Sequence, residues 1–238
     1  MAHSILSGGL ARTQQFLKQI VYGGNDGIVT TFAVVSGFAG ASADGVAQIG
    51  ALAVLVFGLA NLFADGVSMG LGEFLSARSQ KKLYTARRRD LQARIRQAPD
   101  DAADELAAQF IQRGMTPDDA ARAAGLLQGD ANVTTDLLMQ WSEDQPAPTD
   151  DRAGMNGLVT FLAFIAFGSI PLAPYFIDTS GTRNFTLSIV ATFAALTALG
   201  LLRSNATGEP VARSVGETVL IGGLCAAIAF AVGNLVGG

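Results

Sequence analysis

The apolar stretch over residues 52–75 places a side chain with lone pairs at every fourth position, at Asn61, Asp65, Met69 and Glu73. An α-helix advances about 100° per residue, so each step of four rotates the position by about 40° and the four side chains form one row. At about 1.5 Å per residue, this polar row covers roughly 18 Å of a hydrocarbon core about 30 Å thick. A carboxylate in mid-membrane costs about 2.5–3.5 kcal/mol, and intramembrane acids usually mark ion or proton pathways. The polar row therefore favours a path for a cation. The alternative is a polar seam that only holds helices together.

The composition is typical of a membrane protein. Half of the 238 residues are hydrophobic, only 15% are charged, and the mean hydropathy is +0.36. The single cysteine, Cys225, excludes an internal disulfide, and the single histidine, His3, leaves no histidine-built metal site or catalytic triad. The net charge of −4 argues against nucleic acid as a partner. We find no complete catalytic set in the sequence, so we expect neither an enzyme nor a resident cofactor.

A second acidic position lies in the first apolar run, over about residues 19–41, where Asp26 is the only charge. Glycines surround it, and glycine lets a neighbouring backbone or an ion approach closely. Beside the polar row, Gly66 and Gly70 form a small-xxx-small pair that allows a neighbouring helix to pack tightly. The polar row can therefore face a helix that carries Asp26.

The apolar runs predict an all-α membrane protein with five transmembrane helices and a small cytosolic helical insert between helices 2 and 3. The last three spans are expected over residues 155–172, 185–202 and 215–236. The predicted segments are a cytosolic N-terminal arm (1–18), transmembrane helices 1 and 2 (19–75), a cytosolic helical domain (76–153) and transmembrane helices 3–5 (154–238).

The insert is recognised by its charge. Residues 76–152 hold 11 of the 16 basic and 13 of the 20 acidic residues. The absence of Gly and Pro over residues 77–97 predicts that the second span continues as a helix. Three further helices are expected, beginning near Pro99, at the N-cap Thr116 before Pro117, and near Asn132. Arginines 87–89 either contact anionic lipid head groups or form a solvated face.

The distribution of basic residues sets the orientation. With the N-terminus in the cytosol, the arm, the insert and the loop 203–214 hold 15 of the 16 basic residues, and only Arg183 lies outside. Cytoplasmic loops of membrane proteins carry such an excess of Lys and Arg. We therefore expect an integral protein of the cell (inner) membrane with the insert in the cytosol and the C-terminus outside.

Three motifs resemble those of the vacuolar iron transporter family, and the likeness covers all five spans. Residues 24–37 (GNDGIVTTFAVVSG) are similar to its first-helix signature and residues 64–76 (ADGVSMGLGEFLS) to its second. Residues 156–161 (NGLVTF), with the later Ile170-Pro171-Leu172, are similar to its third helix. The chain resembles a bacterial-type, five-span member of that family.

The resemblance implies a homodimeric exporter that moves Fe²⁺, and often Mn²⁺, out of the cytosol in exchange for protons. It implies that Asp26 and Met69 contact the metal. A second-helix glutamate of the plant members falls at Asn61 here, and Asp65 supplies a carboxylate one turn further on.

The expected metal ligands are thus Asp26, Met69, Asp65, Asn61 and Glu73. Carboxylate and amide oxygens suit Mn²⁺ and Fe²⁺, and a thioether favours softer metals such as Fe²⁺. Carboxylates also take up protons when a metal leaves, which gives exchange a physical route. The expected partners are divalent metal ions, protons, the lipid bilayer and a second copy of the chain. The rival interpretation is a membrane sensor or structural protein that transports nothing.

In many relatives the insert itself binds metal, through glutamates on its first helix and a Met-Met pair with a Glu on its last. Here arginines stand where acids are expected on the first helix, and Asp90 alone remains. On the last helix only Met139 is left of the pair, Ser142 falls at the Glu position, and Glu143 is displaced by about 100°. We therefore expect the insert to have lost, or greatly weakened, this metal cluster and to serve a structural or dimerising role.

Overall fold

The computed structural model describes residues 16–41, 47–143, 152–177 and 183–237, and every regular element within these ranges is a helix. The chain divides into two compact units. One takes the chain up to Phe74 and from Gly154 onwards, and the other covers Leu75–Ala153. The helices are α1 (Leu17–Ala41), α2 (Ala47–Gln97), α3 (Pro99–Gln112), α4 (Pro117–Leu127), α5 (Ala131–Trp141), α6 (Ala153–Gly168), α7 (Ala173–Ile177), α8 (Arg183–Thr207) and α9 (Val211–Gly237).

Three of the described helices are long and apolar enough to cross a membrane, over Gly50–Gln97, Arg183–Thr207 and Val211–Val236. Large apolar side chains point outward along them, for example Leu220 and Leu224, because lipid rather than protein is the solvent there. The protein is therefore an integral membrane protein. We call its first unit, up to Phe74 and from Gly154, the membrane unit, and Leu75–Ala153 the insert unit.

The long helix α2 confirms the predicted continuation of the second span, since it runs for 51 residues without a break. Its start differs from the prediction. The sequence predicts a short loop over residues 42–48 between the first two spans, but residues 47 and 48 already belong to α2, and residues 42–46 lie outside the described residues. Of the polar arm expected over residues 1–18, residues 1–15 lie outside the described residues, and helix α1 begins at Leu17. Apolar residues mark a span, but a helix extends beyond them wherever its backbone hydrogen bonds continue.

Prolines shorten the predicted third span. Helix α6 ends at Gly168, and a tight turn follows in which the Leu172 N–H donates to the Ser169 carbonyl at 3.2 Å. The chain then resumes as the short helix α7, with Pro174 in its first turn, where a missing N–H costs nothing. At 16 residues α6 is apolar but shorter than the three long helices.

Glycines bring α1, α2 and α6 into backbone contact inside the membrane unit. A Cβ on Gly27 would lie 2.4 Å from the Phe164 carbonyl oxygen, and a Cβ on Gly70 would lie 2.9 Å from the Gly157 carbonyl oxygen. A side chain at these positions would force the neighbouring backbone to shift, so the helices pack against each other through their backbones. Around them Phe32, Leu62 and other apolar side chains form a buried cluster.

The insert unit has its own small core. The insert part of α2 and the helices α3 and α5 bury Leu91, Leu106, Leu138 and other apolar residues together. The predicted cap of α4 is confirmed, because the Thr116 hydroxyl accepts a hydrogen bond from the Asp119 N–H at 3.3 Å. Gly114, with φ of +97°, follows the end of the preceding helix, where a left-handed backbone favours glycine.

Candidate metal-transport site

The polar row lies on one face of α2, where it is neither fully buried nor fully exposed. Asn61, Asp65, Met69 and Glu73 are all partly buried. On the buried side the helix presents Leu62, Gly66 and Gly70 to the protein core, and on the other side Phe63, Val67 and Leu71 are exposed. The polar row therefore follows the boundary between the protein interior and the outer surface of this single chain.

Asp26 of α1 and Asp65 of α2 lie near enough to each other to interact electrostatically. In the described part of the chain, neither carboxylate has a hydrogen-bond or ion-pair partner in the protein. Two like charges in largely apolar surroundings repel each other and have lost hydration, so a bound cation or proton stabilises them. We call Asp26 and Asp65 the acid pair.

The backbone around Asp26 holds α1 close to its neighbours. Gly24 and Gly27 lie on either side, and both would clash with α6 or its adjoining residues if they carried a side chain. The Thr30 hydroxyl donates to the Asp26 carbonyl oxygen at 2.7 Å, so this carbonyl is engaged and the side chain is the group left for a ligand. The glycines predicted to permit close approach thus fix the position of one member of the acid pair.

Met69 lies one helical turn from Asp65 and packs against the apolar cluster that contains Phe32 and Phe164. Its thioether therefore stands at the edge of a dry core, next to the acid pair along α2. At the opposite end of the polar row, Asn61 lines an apolar cleft of about 820 Å³ between α1, α2 and α9, together with small residues such as Gly37 and Ala64. Asn61 is thus more than one turn away from Met69, on the far side of Asp65.

Glu73 differs from the acid pair because it has protein partners. The Gln19 side-chain amide donates to Glu73 Oε1 at 3.1 Å, and the Lys18 ammonium lies 4.0 Å from the same oxygen. Sequence reasoning missed Gln19. The available signal was its spacing of seven residues from Asp26, which places both side chains on one face of a helix after two turns.

In the insert unit Glu143, one of the two acids that remain from the metal cluster of the relatives, is engaged by an arginine. Arg87 donates to Glu143 at 3.1 Å, and Ser142 donates to Glu105, which also accepts from Arg94 at 3.0 Å. Met139 is fully buried in the core of this unit. These contacts engage Glu143 and enclose the sulfur of Met139, while Asp90 lines a small cavity beside Arg87 and Arg94. Among the described residues, no group of three or more His, Cys, Asp or Glu is placed to hold a metal ion.

Comparison with known proteins identifies the family of the sequence. The sequence model of the VIT family matches residues 17–234. The chain belongs to the VIT family. This VIT protein is 30% identical over 222 residues to vacuolar iron transporter 2 of Oryza sativa subsp. japonica, with 93% of this chain and 88% of the relative covered.

Two further relatives show how widely the likeness extends. Vacuolar iron transporter 1 of Arabidopsis thaliana is 29% identical over 222 residues, covering 93% of this chain and 86% of the relative. The vacuolar iron transporter of Toxoplasma gondii is 27% identical over 238 residues, covering 94% of this chain and 75% of the relative. The resemblance found in the sequence motifs is thereby confirmed, and the family is one of transporters rather than enzymes.

Proposed function

We propose that this VIT protein carries Fe²⁺, and also Mn²⁺, out of the cytosol in exchange for protons, through a site between its first two long helices. The observation that carries the proposal is the acid pair, Asp26 and Asp65, which has no counter-charge from the described protein. The names of the relatives support iron as cargo. The metal is the substrate of transport, and no resident cofactor is needed.

The ligand chemistry fits these metals. Two carboxylates supply hard oxygens, and the Met69 thioether, one turn along α2, adds a soft ligand that favours Fe²⁺ over Ca²⁺ or Mg²⁺. When the metal leaves, repulsion between the two carboxylates favours the uptake of a proton, so metal and protons compete for the same charges. Asn61 and Glu73, at the two ends of the polar row, extend the path beyond the acid pair.

The proposal includes five membrane spans. Helix α1 and the pair α6–α7 join the three long apolar helices as spans, with α1 shielded from lipid at its polar positions by its contacts with α6. The basic residues then place the N-terminus and the insert in the cytosol and the C-terminus outside, in the cell (inner) membrane. Cysteine labelling tests this in a Cys225→Ser background. Ala108→Cys should react only after permeabilisation and Arg183→Cys should react in intact cells.

A homodimer is the proposed assembly. The apolar cleft beside Asn61 is lined by small residues of α1 and α2, including Gly37, Ala60 and Ala64, which allow a second helix pair to approach closely. Covering this face would bury Asn61 and complete the enclosure of the polar row. Mass measurement in detergent is the check, and a transporting monomer would refute the dimer.

The rival reading is a polar seam that only joins helices. A seam of that kind satisfies its polar groups within the protein, as Gln19 does for one oxygen of Glu73. The acid pair does the opposite, since its two carboxylates interact electrostatically and have no donor among the described residues. In a purely structural seam, two acids without a partner would lower the stability of the protein with no gain. In a transporter, the same two acids are needed to bind the cation.

The deciding experiment measures flux in proteoliposomes loaded with a metal-sensitive dye, with Fe²⁺, Mn²⁺, Co²⁺ and Zn²⁺ compared under an imposed pH gradient. We expect Fe²⁺ and Mn²⁺ to move, and to move faster when protons flow the opposite way. Flux that ignores the pH gradient would remove proton exchange from the proposal. Absence of flux for all four metals would remove transport itself.

A further inference from the structure

Among the described residues of the membrane unit, three side-chain amides have an enclosed oxygen without a hydrogen-bond partner, Gln19, Asn25 and Asn156, and the first and last of these are buried as whole residues. Gln19 on α1 is 7% exposed and Asn156 on α6 is 8% exposed, and their oxygens Oε1 and Oδ1 are fully enclosed. Buried polar atoms in folded proteins are almost always paired, so an unpaired oxygen calls for a missing partner such as an ion or a water.

The packing of α1 on α6 puts these two amides at the same level. Gly23 packs on the carbonyl of Thr160, with 2.6 Å from a Cβ to that oxygen. One turn further along both helices, Gly27 packs on the carbonyl of Phe164 at 2.4 Å, so the helices run parallel. Gln19 lies four residues before Gly23 and Asn156 four residues before Thr160. The same register, continued by one turn, therefore sets Gln19 beside Asn156.

Glu73 of α2 joins the two amides. Its Oε1 accepts the hydrogen bond from Gln19 Nε2 at 3.1 Å, which engages the amide nitrogen and leaves Gln19 Oε1 free. Helix α2 reaches this level because Gly70 packs on the Gly157 carbonyl and Glu73 follows within one turn. Its side chain is 18% exposed. Three oxygen-bearing groups from three helices thus meet at one end of the membrane unit.

We propose that Gln19, Asn156 and Glu73 form a second cation position, distinct from the acid pair, which takes a hard divalent ion such as Mn²⁺ or Fe²⁺. It rests on the proposed function, because it would load ions that then pass to Asp26. Seven residues separate Gln19 from Asp26 on α1, which corresponds to roughly 10 Å at about 1.5 Å per residue. Two amide oxygens and one carboxylate supply oxygen ligands only, and water completes the shell.

Lys18 is the protein cation that competes for this place. Its ammonium lies 4.0 Å from Glu73, and its side chain is 77% exposed. A long, flexible and solvated side chain at the limit of ion-pair distance holds Glu73 weakly. An arriving divalent ion displaces it, and the lysine returns when the ion moves on. The Lys18 ammonium therefore keeps the empty position neutral without blocking it.

The test uses the full-length protein in detergent with Asp26→Asn and Asp65→Asn, which removes the acid pair and leaves the second position intact. Mn²⁺ is titrated, and the loss of its free-ion electron paramagnetic resonance signal counts the bound ions. We expect one Mn²⁺ per chain to remain. In the same background, Gln19→Leu and Asn156→Leu should each weaken its binding by tenfold or more, while Gln19→Glu should tighten it because the ligand gains charge.

Thr192→Val is the matched control. Thr192 on α8 also buries an oxygen without a partner, so its loss should leave Mn²⁺ binding unchanged. If the leucine variants do not fold, Gln19→Glu and Asn156→Asp carry the test, since both preserve volume and are expected to bind Mn²⁺ more tightly.

Two results would overturn the second position. One is the absence of bound Mn²⁺ once the acid pair is neutralised. The other is unchanged affinity in both leucine variants, which would mean that a water alone pairs the two amides. Because binding is measured without flux, failure of transport does not affect this outcome. Transport by a wild-type protein whose neutralised variant binds no Mn²⁺ would remove only the second position.

Discussion

Three acids of the insert unit and the acid pair of the membrane unit differ in their partners. In the insert unit Glu143 binds Arg87, Asp136 binds Arg88 at 2.8 Å and Glu105 binds Arg94. In the membrane unit Asp26 and Asp65 have each other and no basic side chain among the described residues. Water would tolerate these three acids of the insert unit without a partner, yet each has an arginine, whereas Asp26 and Asp65 lie between apolar helices without one.

This difference distinguishes acids that pair with arginines on the protein surface from acids that we propose to bind the transported ion. An exposed ion pair contributes at most about 1 kcal/mol to the free energy of unfolding. The ion pairs of the insert unit therefore connect its helices with little effect on stability. Two carboxylates without a basic partner between apolar helices lower the stability of the fold. They persist only where a cation or proton balances their charge for part of the transport cycle. The missing counter-charge is therefore the reason why we propose the acid pair as a binding place for the transported ion.

Neutralising one member of the acid pair should have the largest effect. We expect Asp26→Asn to lower Fe²⁺ and Mn²⁺ flux in proteoliposomes by more than about 100-fold, since loss of even an outer-shell partner of a metal typically costs 10–100-fold. Met69→Ala should also reduce flux severely, and more for Fe²⁺ than for Mn²⁺, because it removes the soft ligand. The control is Asp136→Asn, the same chemical change in the insert unit. Equal loss in both acid variants would show that the two kinds of acid do not differ.

The second prediction concerns the packing that holds Asp26 in place. Gly27→Ala puts a Cβ 2.4 Å from the Phe164 carbonyl, so we expect it to destabilise the membrane unit by roughly 1–3 kcal/mol and to lower flux. Gly72→Ala, where a Cβ meets nothing within 4 Å, should instead stabilise α2 by about 0.5–1 kcal/mol through helix propensity. Thermal unfolding in detergent measures both. Two variants with the same sign of change would contradict the close contact.

The third prediction turns paired acids into unpaired ones. In Arg87→Glu, Glu143 loses its partner and faces a new carboxylate, with Asp90 lining the same small cavity. We expect the variant to bind Mn²⁺ in the insert unit more tightly than the parent does, and to lose up to about 1 kcal/mol of stability. Calorimetry of the full-length protein with the acid pair neutralised measures the added binding. Arg87→Gln is the control, and equal binding by both variants would argue against charge as the cause.

The smallest effect concerns a cap in the insert unit. Hydrogen bonds from the Thr116 hydroxyl and then from Arg122 hold the pKa of Asp119 below its ordinary value. A lowered pKa in the folded state means that Asp119 stabilises the fold above its unfolded pKa of about 3.9, and that this gain is lost as the pH falls through the folded pKa. The difference in melting temperature between the parent and Asp119→Asn should therefore be present at pH 6 and shrink towards pH 3. A constant difference over that range would exclude the carboxylate as its source.

The sequence alone determined much of the site. The spacing of four residues from Asn61 to Glu73 fixes a row on any α-helix, because helical geometry does not depend on what packs around it. The motifs around Asp26 and Met69 indicated the family before any contact was known. Local signals also determined the cap at Thr116 and Pro117, since a cap forms between residues that are near in sequence.

Contacts between distant residues were decided only by the tertiary structure. The sequence shows three arginines at 87–89, but only the fold pairs Arg87 with Glu143 and Arg88 with Asp136, about fifty residues away. Gln19 and Asn156 read as ordinary amides at the ends of apolar runs. The register of α1 on α6, which glycine backbone contacts set, places the two amides at the same level. Burial then leaves their oxygens without hydrogen-bond partners among the described residues. Periodicity tells which face a side chain occupies, whereas only packing tells what that face meets.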